Sequence, residues 1–160
     1  MKNLIFVILV CGLIGISGFK EESINYEQIT FDYFISDILG SDFKDITLIE
    51  FKGKTESAYS TLGDYKFCLK PEEKLESIIR DVTKRSTQNV KPVKSDGFKS
   101  ITISDFNNKT TAPRLYLYPS VHVADNFYVF LSLRKPNEQV VNYVFELQPN
   151  GNITRSCKMN

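Results

Sequence analysis

Ser120, His122 and Asp125 carry the side chains of an acyl-transfer triad: a hydroxyl nucleophile, a general base and a carboxylate to orient the base. His122 is the single histidine of the chain. Triads of this kind assemble from distant chain positions, with a strained nucleophile turn or a glycine-rich oxyanion loop beside them. Neither pattern surrounds these residues. On an extended strand Ser120 and His122 share a face, and Asp125 falls in the turn that follows. The set therefore reads as the polar face of an extended segment, and it argues against an enzyme. A small hydrolase using His122 is the least favoured of the functional readings.

Other chemistries find less support. No phosphate-cradling, dinucleotide-binding, zinc-protease or calcium-loop spacing occurs, so no cofactor is expected. Asp42 and Asp45 flank turns and lack the apolar setting that raises the pKa of an acid. Lys84-Arg85, Lys91 and Lys94 are positive charges without interleaved aromatics, and the formal net charge is +1, which argues against a nucleic-acid groove. Once Cys11 leaves with the amino-terminal segment, Cys68, Cys157 and the single His122 cannot make a usual four-ligand zinc set without carboxylates, which show no motif spacing, so no metal is expected.

The amino terminus gives an address. Met1-Lys2-Asn3 is basic, residues 4–16 are almost wholly apolar, and Gly15, Ser17 and Gly18 are small. That order predicts a secretory signal peptide over 1–18, followed by a single domain over 19–160, secreted or periplasmic. The apolar run is too short for a transmembrane helix, which needs about 20 residues, so none is expected in the mature chain. A lipid anchor on Cys11 is disfavoured: Val10 stands where a small residue belongs, and the apolar run continues past the cysteine. Cleavage leaves 19 basic and 19 acidic side chains, a formally neutral chain. It also leaves Cys68 and Cys157 as an even pair in an oxidising compartment, which predicts one disulfide; two unrelated buried thiols are the alternative. Asn108 and Asn152 head Asn-x-Ser/Thr sequons and are candidate glycan sites in a eukaryotic source.

These residues depend on a framework that is clearest at the carboxyl end. Residues 127–134, 140–147 and 153–159 read as an antiparallel meander, with turns at Lys135-Pro136-Asn137-Glu138 and Gln148-Pro149-Asn150-Gly151. Phe127, Val129, Leu131 and Leu133 share one face, as do Val141, Tyr143, Phe145 and Leu147. Tyr128 and Phe130 on the other face predict a central strand covered on both sides. Ile153, Arg155 and Cys157 are expected to share a face of an edge strand. Upstream, Phe31, Phe34, Ile35 and Ile38 form the apolar stripe of a helix over 25–39, stopped by Gly40. Pro71 opens a second helix through about residue 86, with Leu75, Ile78, Ile79 and Val82 on its buried side and Glu72, Glu73 and Glu76 at its positive end. Residues 46–51, 98–106 and 115–123 read as extended, the last broken at Pro119, and 65–69 as a short strand holding Cys68. Residues 55–63 and 87–97 read as loops.

The expected fold class is α+β: two amphipathic helices packed on a mostly antiparallel sheet of about five or six strands that ends in the meander. A β-barrel with helical additions is the alternative. The segregation of helices and strands argues against alternating βαβ units.

Gln139-Val140-Val141-Asn142-Tyr143 resembles the Gln-x-Val-x-Gly inhibitory hairpin of cystatins, departing at the glycine, where Tyr143 stands. The Pro-Trp second loop of that family is absent, because the chain has no Trp. The resemblance implies a helix on an antiparallel sheet and protease inhibition through the Gln139 region. A cystatin-like or nuclear-transport-factor-2-like curved sheet fits the predicted arrangement as a shape. Together the residues favour a non-enzymatic binding or interaction domain for a protein or small-molecule ligand, with the protease inhibitor as the second reading.

Overall fold

The computed structural model describes residues 23–52, 64–84, 93–94, 102–105 and 111–159. The signal peptide expected over 1–18 with Cys11, the sequon residue Asn108, the loop expected at 55–63, most of the loop expected at 87–97 and residues 98–101 of an expected strand lie outside the described residues.

The architecture is α+β, with one main helix and a mostly antiparallel open sheet. The strands are β1 (Leu48–Lys52), β2 (Thr102–Asp105), β3 (Arg114–Leu117), β4 (Val121–Val123), β5 (Asn126–Arg134), β6 (Val141–Leu147) and β7 (Ile153–Lys158). They are ordered β2-β1-β3-β5-β6-β7, and β4 pairs with β5 outside that path. From β3 onward every pairing is antiparallel, but β1 runs parallel to both β2 and β3. The sequence argues against alternating βαβ units and carries no sign of this parallel part of the sheet. A long connection that includes a helix separates β1 from β2, and such a connection permits parallel pairing where a hairpin does not.

The main helix, α1, is α-helical over Tyr26–Tyr33, widens into a π-helical stretch over Phe34–Leu39 and closes over Gly40–Asp42. Asn25 caps it, its Oδ1 accepting from Gln28 N–H at 3.0 Å. Gly40 does not stop this helix; its φ of −63° is helical. The expected stripe is buried and includes one more residue. Leu39 is fully buried and Ile38 half-buried, packed against the same core.

α1 covers one face of the sheet. Its Phe31, Phe34, Ile35 and Leu39 pack on Leu115, Leu117, Val129, Leu131, Leu133, Tyr143, Phe145 and Leu147. These are the inward faces the alternation predicted for β5 and β6. The other face of β5, Tyr128 and Phe130, is buried under a second cluster that includes Tyr65, Cys68, Ile78, Val144 and Met159, so β5 is covered on both sides. This second layer differs from expectation in two ways. Residues Asp64–Cys68 form a 3-10 helix rather than a strand, which places Tyr65 and Cys68, three apart, together against the sheet. The helix expected from Pro71 starts at Leu75, so the second helix, α2 (Leu75–Lys84), is shorter than α1. Its Leu75, Ile78 and Ile79 join the second cluster, and the side chain of Val82 lies outside the described residues.

The last strand carries a β-bulge. Leu147 pairs with Ile153 and Glu146 with Arg155, so Ile153 and Thr154 together oppose one step of β6. The extra residue switches faces: Ile153 packs in the α1 layer, whereas Cys157 joins the opposite cluster. The predicted common face of Ile153, Arg155 and Cys157 is therefore corrected. The turn before β7 is held by Gly151 at φ 89°, where a Cβ would stand 2.7 Å from Ile29 Cδ1. The Tyr26 hydroxyl donates to Pro149 O at 2.9 Å, fixing the start of α1 to the same turn.

Candidate functional site

Three places on the fold gather polar side chains. The first lies under the 3-10 helix. Glu146 is buried on β6, and β7 brings Arg155 beside it, Nε to Oε2 at 2.9 Å. Lys70 Nζ and Asn126 Nδ2 donate to Glu146 Oε1 at 2.9 and 2.8 Å. Arg155 continues outward, donating from Nη1 to Cys68 O at 2.6 Å and from Nη2 to Glu73 Oε1 at 2.9 Å. Glu73 also accepts from the Lys70 backbone N–H at 2.9 Å and from the Tyr65 and Tyr128 hydroxyls at 3.4 and 3.3 Å. Glu73 is thus held in a charge network rather than serving the start of a helix, which corrects its predicted role. The Cys68–Cys157 disulfide, with Cα atoms 6.0 Å apart, lies alongside.

Two carboxylates and two tyrosines in one cluster suggest acid–base work, but the geometry argues for a clamp. The four ionic side chains balance as two acids and two bases. Burial first, then the charge of Glu146, pushes the Tyr128 hydroxyl up to about 12. Burial, and next the charge of Glu73, raises Tyr65 as well. Burial works against the charge on Arg155, yet its pKa still lies above the usual value because Tyr65, Glu73, Glu146 and Tyr128 favour the cation. The hydroxyls therefore remain donors and the guanidinium remains charged.

A consequence is sensitivity to alkali. Tyr128 and Tyr143 titrate near 12 in the folded chain against 10.0 for an ordinary tyrosine, Tyr143 through burial and then the charge of Asp42. A raised folded pKa means that the unfolded chain loses its proton first as pH rises. Their contribution to stability is then complete below pH 10 and falls away between 10 and about 12. Urea midpoints measured across that window should drop steadily, together with the rise of phenolate absorbance. A midpoint that stays flat through it would contradict the assignment.

The second place is β4 and the turn after it. Val121–Val123 puts His122 on the exposed side, its ring stacked on Phe127 with centroids 4.6 Å apart. The Ser120 backbone N–H donates to the buried Glu27 Oε1 at 2.8 Å, and Asp125 is exposed in a turn whose other residue, Ala124, has φ 52°. No hydrogen bond joins Ser120, His122 and Asp125 among the described residues. The turn geometry separates what the sequence places close together.

The third place is a groove at the end of the sheet where β5 turns into β6. Two adjoining hollows of about 360 and 530 Å³ share Thr111, Ala112, Lys135, Pro136 and Glu138. Arg114 and Arg134 line the smaller, and Asp45 and Leu48 the larger. Asn137, at φ 59°, forms the turn, and Gln139 is exposed on it. Val141 and Asn142 already belong to β6, where Asn142 Oδ1 accepts from Ser132 Oγ at 2.6 Å. Only the first part of the cystatin-like stretch therefore stands free.

Of the predicted site residues, Cys68 and Cys157 are brought together, and Asn152 is exposed beside Gly151, while Asn108 lies outside the described residues. Sequence reasoning missed the Glu73–Arg155–Glu146–Lys70 network and the groove arginines. Glu146, a lone acid amid the apolar residues of β6, was the available signal for the network. Among the described residues no group of three or more His, Cys, Asp or Glu is placed to hold a metal ion, and no helix is long and apolar enough to cross a membrane. No protein-family model, curated protein or solved structure matches the chain.

Proposed function

We propose that the chain is a non-enzymatic binding domain, secreted or periplasmic after loss of residues 1–18, that contacts its ligand at the turn-bearing end of the sheet. The observation that carries this is the separation of concavity from catalytic side chains. The groove is lined by residues 111–114 and 134–138, and Ser120, His122 and Asp125 take no part in it. The leader-like amino terminus and the Cys68–Cys157 pair support the compartment. A cystatin-like or nuclear-transport-factor-2-like shape is supported by α1 crossing one face of a mostly antiparallel sheet.

The test is a small-molecule fragment screen followed by protein NMR. Shifted amides should cluster on Thr111, Ala112, Arg134 and Lys135, and His122→Ala should leave that binding unchanged. Fragments clustering at His122, with an ester hydrolysis that His122→Ala lowers by about 100-fold or more, would replace the binding domain with a hydrolase.

The exposure of Gln139 on the β5–β6 turn favours a second reading, protease inhibition of the cystatin kind. In that case Gln139→Ala weakens inhibition of a cystatin-sensitive protease, and Arg134→Ala does not.

A further inference from the structure

We infer that the groove binds a tetrahedral oxyanion, a phosphate or sulfate group on its ligand, between Arg114 and Arg134; this rests on the reading of the groove as the binding face. Arg114 and Arg134 are direct partners across the antiparallel β3–β5 ladder. Side chains at such positions lie on the same face with Cβ atoms about 5 Å apart, and like charges there repel. The fold relieves one of the two. On the other side of β3, Glu50 pairs in register with Arg114, and its buried carboxylate sits 3.3 Å from Arg114 Nε. Arg134 has no equivalent. It is exposed, and no ion pair or hydrogen bond reaches its side chain among the described residues.

The third cation of the groove is accounted for. Lys135 meets Glu138 at 3.4 Å and Asp45 at 3.8 Å, and its ammonium lies over the Phe43 ring. Arg134 is thus the one of these three cations with no carboxylate beside it, and it stands opposite Arg114 in the ladder. An anion held between them removes the repulsion and supplies the missing partner. Guanidinium groups match phosphate and sulfate oxygens with paired donors, and a tetrahedral group can offer separate oxygens to each arginine while a third faces the Thr111 side of the hollow. The smaller hollow, about 360 Å³, has room for such a group with part of a ligand attached.

The experiment is an NMR titration of the folded, disulfide-bonded protein with sodium phosphate, sodium sulfate and sodium acetate at constant ionic strength. Phosphate or sulfate should shift the amides of Thr111, Ala112, Arg134 and Lys135 saturably. Arg134→Ala should weaken that binding at least about tenfold, the expectation for losing a hydrogen bond to a charged group. Arg134→Lys, which keeps the charge but loses the fork, should fall between the two. Arg134 is exposed, so these variants are expected to fold, and an unchanged urea midpoint verifies it. Three outcomes overturn the inference: no saturable binding of phosphate or sulfate, binding that Arg134→Ala leaves unchanged, or a preference for acetate. If neutral fragments still map to the groove, the oxyanion alone is refuted; if nothing maps there, the binding-domain reading falls as well.

Discussion

Cys157→Ser should lower the stability of the oxidised protein by about 4–5 kcal/mol. The bond spans 89 residues of sequence. In the chain-entropy account a closed loop of that length restricts the unfolded chain by an amount worth about 4–5 kcal/mol, and strain or residual structure can only reduce it. The bond also ties the 3-10 helix at Asp64–Cys68 to β7, the open edge of the sheet. Without it, the segment that carries Tyr65 onto Tyr128 and Phe130 depends on side-chain contacts alone. Urea unfolding of the wild type, Cys68→Ser, Cys157→Ser and the double variant is the measurement. Both single variants and the double should lose similar amounts, because any one change removes the whole bond. A loss below about 1 kcal/mol, or losses that add in the double variant, would show that the bond contributes little or that the two cysteines act separately.

The sequence made the meander legible because its information is local. Period-two alternation in β5 and β6 named the residues of both faces, and Asn150-Gly151 marked the second turn. Three things were not legible, each for a physical reason. The face switch in β7 arises from one extra residue, Thr154, which no alternation pattern reveals because the bulge is defined by the register with Glu146 and Leu147. The π stretch over Phe34–Leu39 is not visible in the sequence, because its i→i+5 hydrogen bonds leave no mark on a pattern searched for 3.6-residue periodicity. The parallel pairing of β1 with β3 is a long-range choice between strands more than sixty residues apart. The candidate site divides in the same way. The cysteine pair followed from compartment and count. Ser120, His122 and Asp125 are close in sequence and apart in the fold, since β4 exposes His122, Ser120 just before it gives its amide to Glu27, and Asp125 lies in the turn that follows. The groove arginines come from separate strands, and only the register between β3 and β5 makes them neighbours.

Glu146→Leu should cost about 3–5 kcal/mol, because it leaves Arg155 in a half-closed site with one of its two carboxylate partners gone. Glu146 is only 2% exposed and receives Lys70, Asn126 and Arg155 at once. Its partners differ in what they can do when it is gone. The Lys70 side chain is 38% exposed and can turn its ammonium to water, so Lys70→Met should change stability by no more than about 1 kcal/mol. The Arg155 side chain is 19% exposed and is pinned by Cys68 O and Glu73, so it cannot leave without breaking the contact between β7 and the 3-10 helix. The penalty therefore belongs to the under-compensated guanidinium, left with Glu73 alone, more than to the lost attraction. That distinction has a measurable form: Glu146→Leu combined with Arg155→Met should recover a large part of the loss, since an apolar pair replaces a buried ion pair with little net change. Glu73 then retains the Lys70 amide and both tyrosine hydroxyls as partners. Urea unfolding of the two single variants and the double gives the coupling energy directly. If the double variant loses the sum of the two single losses, the network is not a mutual clamp, and the buried carboxylate of β6 has to be explained by a ligand or reaction instead.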